Sequence, residues 1–385
     1  MTITERPCPC CGTNAVIPLF DNRMAPIGGL DMSYTVGRCQ KCSFFFADTL
    51  ADDQTFCSYY QSLSKYDVAS EISELDRLRI DAAVKICQGK IPHDAMIVDL
   101  GCGYGALLSR LKTAGWTHLY GVDPAPNSAE RGRKLFGLEK IYCGMMAQAH
   151  YFISLAKADL VCITGVLEHL PHLRVDVSGV LEKLRPGCRI LVEVPALERF
   201  SGLNSEPFGE FSLEHIQFFS TTSLENFFGS FGAKSLALKI VDLPIGNADS
   251  LFGLFELTGE APASFEPKPE HSDAITKYID DSKQRLDNAL LRIPHEPLVI
   301  YGAGSHTARL LPHLERMTGR GTVVAVVDNN PNLLNKTIGQ WVIQSPSIIT
   351  SLPNTHILIS SFRFQNEIAT SLRNQYPNPV VLLYD

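Results

Sequence analysis

The sequence predicts an α/β protein: a Rossmann-like sheet flanked by a small N-terminal metal-binding unit and a second, C-terminal Rossmann-like unit. Three observations carry this. A strand-length apolar run leads into a glycine turn and a helical stretch near residue 100, and the same order recurs near residue 300. Apolar runs alternate with helical stretches between them. Two Cys-x-x-Cys pairs stand ahead of both. The expected units are 1–75, 76–260 and 261–385, an ordinary division for 385 residues.

Composition narrows the function classes. Hydrophobic residues make up 45% and charged residues 19%, a globular balance, and the formal net charge is −7. Nucleic-acid binders usually carry a basic face, so no nucleic-acid partner is expected. The N-terminus has no apolar signal core, and no run is long enough for a membrane span. Eleven cysteines, an odd count scattered through an α/β chain, argue against a disulfide framework. A cytoplasmic protein with no membrane partner is the expectation, and its oligomeric state is open.

The N-terminal unit begins Cys8-Pro9-Cys10-Cys11-Gly12 and continues to Cys39-Gln40-Lys41-Cys42. Two such knuckles can set four thiolates at the corners of a tetrahedron, the arrangement of a structural zinc site. The expected ligands are Cys8, Cys11, Cys39 and Cys42, with Cys10 spare. Four thiolates leave no open position, so a catalytic role is not expected. The segment between the pairs holds Pro18, Pro26, Gly28 and Gly29 and reads as loop-rich. So small a unit needs a metal to hold a core.

The central unit opens with the buried strand Ala95–Leu100. It leads into Gly101-Cys102-Gly103-Tyr104-Gly105 and the helix Ala106–Thr113. Glycines there let a ligand approach the backbone. Alone this turn serves NAD, FAD or S-adenosylmethionine equally. The next strand ends at Asp123, 24 residues beyond Asp99, where an acid accepts hydrogen bonds from both ribose hydroxyls. No Arg directly follows it to favour a 2′-phosphate. A further strand, Ala158–Ile163, precedes Thr164-Gly165-Val166-Leu167-Glu168-His169-Leu170-Pro171, and Ile190–Val194 is the strand after that.

From Asp99 to Pro195 this set resembles the class I methyltransferases. The resemblance implies S-adenosylmethionine as cofactor, with Asp99, Gly101, Gly103, Gly105, Asp123, Leu167 and Glu168 around it. Leu167, Glu168 and His169 match positions beside the cofactor's methionyl end and adenine. Glu168 reads equally as a helix N-terminal acid, and His169 as structural.

After the last of these strands comes Phe208-Gly209-Glu210-Phe211-Ser212-Leu213-Glu214-His215-Ile216-Gln217-Phe218-Phe219-Ser220. With it, nearly the whole chain resembles the three-domain sugar C-3′-methyltransferases, which act on nucleotide-linked 4-keto-6-deoxy sugars. The cysteine pairs, the VDLGCGYG turn, the LEHLP stretch and the EHxxxFS segment occur in the family's order. In that family a Tyr-x-Glu-His segment carries acid–base residues, which places His215 and Glu214 in catalytic roles. The Tyr position falls on Ser212, a departure that bears on acceptor and regiochemistry. Tyr59, Tyr60 and Tyr66 are candidates to supply the missing hydroxyl. The chemistry implied is removal of a hydrogen beside a ketone by a base, then attack of the enolate carbon on the sulfonium methyl. Imidazole, with an ordinary pKa of about 6.5, suits that work.

Strands Leu236–Val241 and Leu251–Leu257 suit the last antiparallel pair of the central sheet, and Asp273–Leu291 reads as an amphipathic connecting helix. The last unit opens Leu298-Val299-Ile300-Tyr301-Gly302-Ala303-Gly304-Ser305-His306-Thr307. Its third glycine position is Thr307, and strand Val323–Val327 ends at Asp328. A degenerate Rossmann unit without dinucleotide is the favoured reading. Gly302, Gly304, Ser305 and His306 are candidates to hold the pyrophosphate of a sugar nucleotide at a helix N-terminus, in a cleft against the central unit. The competing functions are an O- or N-methyltransferase on a related sugar or small molecule, and a non-catalytic S-adenosylmethionine-binding protein.

Overall fold

A computed structural model describes residues 6–31, 33–48, 72–201, 206–212, 214–243, 249–265 and 272–384. Its strands, in chain order, are β1 (Val16–Asn22), β2 (Tyr34–Cys39), β3 (Phe45–Ala47), β4 (Met96–Leu100), β5 (His118–Asp123), β6 (Ile141–Cys143), β7 (Leu160–Thr164), β8 (Arg189–Pro195) and β9 (Gln217–Phe218). After these come β10 (Ala233–Val241), β11 (Ser250–Leu257), β12 (Leu298–Tyr301), β13 (Val323–Val327), β14 (Thr337–Ile338), β15 (Trp341–Gln344), β16 (His356–Ile359) and β17 (Val380–Leu382). They form three sheets.

The central sheet has the order β10-β11-β8-β7-β4-β5-β6. β4 to β8 run parallel, and β11 and β10 are added antiparallel at one edge. The parallel strands are nearly all buried, as strands covered on both faces must be. The strand order changes direction at β4, so the crevice for a ligand opens at its carboxyl end, where Asp99 and the glycine turn lie. The C-terminal sheet, β14-β15-β13-β12-β16-β17, is a second, smaller open sheet with a parallel core.

The N-terminal sheet corrects one expectation. The segment between the cysteine pairs carries β1 and β2, paired antiparallel, where a loop was expected. Pro18 had argued against a strand, but it sits where the register slips between Pro18 and Phe20, and a bulge tolerates it. The order is β1-β2-β3-β9. The fourth strand comes from the candidate catalytic segment: Phe45 pairs with Phe218 and Phe46 with Gln217.

The cores join the units. Cys8, Cys39, Cys42, Phe44 and Phe46 pack into the cluster beneath the central sheet. On the other side, Tyr34 and Phe45 share a cluster with Phe208, Phe211, Phe218, Tyr278 and Leu310. Phe211 is fully buried, with ring centroids 5.1 Å from Phe218, 5.2 Å from Tyr278 and 5.8 Å from Phe20. Truncating such a ring to Ala typically costs about 3–5 kcal/mol. The small N-terminal unit thus supplements its cysteine cluster with neighbours' side chains. Among the described residues, no helix is long and apolar enough to cross a membrane.

Candidate active site

A cleft open to solvent lies at the carboxyl end of β4. Its walls include Asp99, Gly101, Gly103, Tyr104, Gly165 and Glu193, with Asp76 and Arg79 from the helix Glu74–Cys87. All of its lining residues come from between Ile72 and Phe252. The cleft therefore belongs to the central unit, where the sequence places the cofactor-binding residues Asp99, Gly101 and Gly103.

The three glycines divide the work. Gly101 has φ +78°, and a Cβ there would collide with Val166. Gly105, at φ +86°, lets the helix Ala106–Thr113 sit close to the sheet, since a Cβ would lie 2.6 Å from Leu138 Cδ1. Gly103, at φ +51°, has nothing within 4 Å of that position, so its backbone faces open space in the cleft. The Gly103 N–H donates to Asp123 Oδ2 at 2.7 Å, while Asp123 Oδ1 accepts from the Ala125 N–H and the Ser128 hydroxyl, each at 2.9 Å. Asp123 therefore shapes the turn. A carboxylate has about four acceptor positions, so capacity for a ligand hydroxyl remains.

Asp99 is buried at the strand end. Burial, with the charge of Asp123 behind it, pushes Asp99 up from 3.8 to about 7. Glu193, at the end of β8, is also buried and lies 3.7 Å from Arg79. Sequence reading missed both Glu193 and Arg79. A glutamate in an apolar strand and an arginine on an amphipathic helix give no motif, though an acid inside a buried strand is itself unusual.

The turn after β7 holds Leu167, Glu168 and His169. Leu167 is fully buried and packs in the core, and Glu168 is buried beside it. The Glu168 carbonyl accepts from the Ile216 N–H at 2.9 Å, and the Ala47 N–H donates to the Ile216 carbonyl at 2.9 Å. His169 Nδ1 is 3.1 Å from the Glu214 carbonyl. His215 is thereby fixed beside His169, with ring centroids 4.9 Å apart.

Ser212 closes the turn that carries them. Its hydroxyl accepts from the N–H groups of Glu214 at 3.3 Å and His215 at 3.0 Å, so it is engaged in the local turn. Its carbonyl accepts from the Tyr34 hydroxyl at 3.2 Å. Tyr59, Tyr60 and Tyr66 lie outside the described residues.

A residue from the C-terminal unit holds the front of the same segment. Arg309 is buried, and its guanidinium donates to Asn22 Oδ1 at 2.5 Å and to the carbonyls of Phe208 at 2.9 Å and Phe211 at 2.7 Å. Glu210 lies within this stretch, its N–H bonded to the Tyr278 hydroxyl at 2.9 Å, and burial pushes its carboxyl up to about 7. No sequence motif announces Arg309 or Glu210.

The second glycine turn is held from within the fold. His306 is buried, with Nδ1 2.7 Å from the Ser360 hydroxyl and Nε2 2.6 Å from the Tyr384 hydroxyl. Both ring nitrogens are engaged inside the fold. A Cβ on Gly302, at φ +105°, would lie 3.0 Å from the Ser360 carbonyl oxygen. Gly304 has open space, and Ser305 begins the helix Ser305–Leu314 half-buried.

The four cysteines meet as expected. Cys8 and Cys42 sulfurs are 3.6 Å apart and Cys11 and Cys39 sulfurs 3.5 Å apart, and all four lie within 4.8 Å of one another. Zn–S bonds of about 2.3 Å give tetrahedral edges of about 3.8 Å, so the cluster fits a metal with small adjustments. Hydrogen bonds from Cys11 first, then Cys42 and Cys8, push the Cys39 thiol below its ordinary range, while bonds among the neighbouring sulfurs push Cys8 and Cys42 above it.

Residues 72–238 match the family model described as a methyltransferase domain. The chain thus carries a methyltransferase domain over these residues. Residues 295–377 match a second model, described as C2185-like, N-terminal. A human protein, methyltransferase-like protein 27, is 34% identical over 122 residues, 30% of this chain and 49% of that protein. The chain thus spans about half the length of this curated relative. Among solved structures, the 1,6-didemethyltoxoflavin-N1-methyltransferase of Burkholderia thailandensis is 15% identical with a TM-score of 0.44, covering 57% of this chain and 97% of that one. The magnesium protoporphyrin IX methyltransferase of Synechocystis PCC 6803 is 15% identical with a TM-score of 0.40, covering 55% and 99%.

Proposed function

We propose that the chain is a carbon methyltransferase acting at C-3′ of a nucleotide-linked 4-keto-6-deoxy sugar, with His215 as general base. The observation that supports it most is the seating of His215. The segment that bears it is bonded to the turn after β7 on one side and to the N-terminal sheet on the other. An imidazole so held does not depend on a free loop for its position. S-adenosylmethionine, when bound, supplies an electrophilic methyl. Asp99, the Gly101–Gly105 turn, Asp123 and Glu168 would hold it. His215 takes the proton from the carbon beside the ketone, and Glu214 orients the segment through its backbone. Structural zinc on Cys8, Cys11, Cys39 and Cys42 would fasten the sheet that backs His215.

Deuterium wash-in at the carbon beside the ketone, with S-adenosylhomocysteine present, tests the base. Wild-type protein should exchange, and His215→Gln should lose exchange and about 10²–10⁴-fold in turnover while cofactor affinity holds. Exchange that persists in His215→Gln moves the base elsewhere. No exchange in wild type favours methylation of a hydroxyl or amine. For the metal, Cys39→Ser should lower soluble yield and zinc content together. Full zinc in a Cys8→Ser/Cys42→Ser protein would sink that assignment.

A further inference from the structure

The turn after β7 gathers a second set of metal-ligand atoms, away from the four cysteines. A carboxylate oxygen of Glu168 and one ring nitrogen from each of His169 and His215 lie within 4.8 Å of one another. His169 Nε2 is 3.8 Å from Glu168 Oε1. The other nitrogen of His169 contacts the Glu214 carbonyl. A carbonyl can only accept, so a proton belongs on Nδ1, and Nε2 is the atom that faces Glu168. Ligating histidines are oriented in this way, by an N–H bond from the nitrogen that does not bind the metal.

Glu168 also stands beside the wall of the cleft. A Cβ on Gly165 would lie 4.0 Å from Glu168 Oε1 and 3.8 Å from Glu193 Oε2, so both carboxylates face that glycine. Gly165 and Glu193 line the cleft. Ligand atoms around tetrahedral zinc, at about 2.0–2.1 Å, stand about 3.4 Å apart. The observed 3.8 Å pair needs to close by a few tenths of an ångström, and the pairs with His215, which lie within 4.8 Å, by at most about 1.4 Å.

We propose that Glu168, His169 and His215 bind a divalent transition cation of the zinc class, and that the cation occupies the lone pair of His215. Two imidazoles and one carboxylate form the donor set of open sites, unlike the closed set of four thiolates. Binding rests on the donor atoms alone. Its consequence rests on the reading of His215 as base: a base that coordinates a metal cannot accept a proton, so the cation switches deprotonation off.

The test uses the full chain with its four cysteines intact. Wild type, His169→Gln and His215→Gln are equilibrated with excess zinc chloride, desalted and counted by plasma mass spectrometry. Each variant should hold one zinc fewer per chain than wild type. Equal zinc content in the three proteins overturns the proposal, as does a full count in His215→Gln alone. Circular dichroism checks folding. Should a variant misfold, wild type saturated with cobalt decides without it. Thiolate-to-cobalt charge transfer together with weaker bands from a nitrogen–oxygen site is expected, and thiolate bands alone overturn the site. In the wash-in assay, zinc should inhibit wild type and a chelator should reverse it. Half-inhibition of His169→Gln should need more than about tenfold more zinc. Wash-in that survives in His215→Gln, with the zinc difference intact, removes the base and leaves the metal site. Wash-in lost without a zinc difference removes the metal site and leaves the base.

Discussion

The turn after β4 and the turn after β12 start from the same parts. Each follows a buried parallel strand, and each first glycine donates to a carbonyl of the neighbouring strand: Gly101 to Val122 and Gly302 to Val327, both at 2.8 Å. Each loop also leans on that neighbour's terminal aspartate, Gly103 on Asp123 and Ala303 on Asp328, both at 2.7 Å. They differ in what occupies the space above. Over the first turn is a cleft walled by carboxylates. Against the second, Ser360, Tyr384 and the turn's own His306 and Thr307 bond to one another: Thr307 Oγ1 donates to the Gly302 carbonyl at 2.5 Å, and the Ser360 hydroxyl is 2.7 Å from Thr307 Oγ1. A glycine turn with a matching acid identifies a Rossmann-like strand pair. Whether it identifies a ligand site depends on whether the protein's own side chains close it.

Three measurements can break that contrast. The largest effect is expected at Gly302→Ala. A side chain at φ +105° is strained, and its Cβ meets backbone that cannot move aside cheaply. Urea unfolding should show about 2–4 kcal/mol of destabilisation, with cofactor affinity of the folded protein unchanged. Weakened cofactor binding at constant stability would make the second turn a ligand cradle after all.

A smaller difference separates the two aspartates. By calorimetry, Asp123→Ala should weaken S-adenosylhomocysteine binding by about 1–3 kcal/mol, whereas Asp328→Ala should leave it unchanged. Equal losses at both positions would erase the distinction.

The smallest effect is a pH dependence confined to the first turn. Asp99 titrates near 7 in the folded chain, above its ordinary 3.8. The stability its protonation adds to the ligand-free protein is complete below about 3.8 and is lost as pH rises through about 7. A ligand with a cationic amino group favours the ionised carboxylate. Affinity for S-adenosylmethionine should therefore rise between pH 6 and pH 8 by less than about tenfold, and Asp99→Asn should flatten the rise. A wild-type profile already flat over that range would remove Asp99 from the cofactor's surroundings.

Much of the central sheet was legible because its signals are local. Leu160–Thr164 and Arg189–Pro195 lie within two residues of the apolar runs that predicted them, since parallel strands buried on both faces read as continuous apolar stretches. The cysteine cluster was legible from spacing for the same reason. What stayed hidden depends on residues far apart in sequence. Asn22 and Arg309 mean nothing until they meet. Gln217–Phe218 is too short for any periodicity to show, and it becomes a strand only because Phe45 and Phe46 offer an edge. His306 stands at a helix start, the place for a phosphate ligand, and only the fold shows Ser360 and Tyr384 against both of its nitrogens.

That borrowed strand constrains how proteins of this design can be recombined. A crossover between residue 48 and the first helix of the methyltransferase domain would inherit three strands of the cysteine-bearing sheet from one parent and the fourth from the other. The seam would run through the hydrogen bonds that back His215, since Ala47 on one side bonds to Ile216 on the other. A unit that looks detachable on a domain map would arrive with its final strand missing. The exchange that preserves the register is a paired one, in which the first 48 residues travel with the stretch from Phe208 to Phe218.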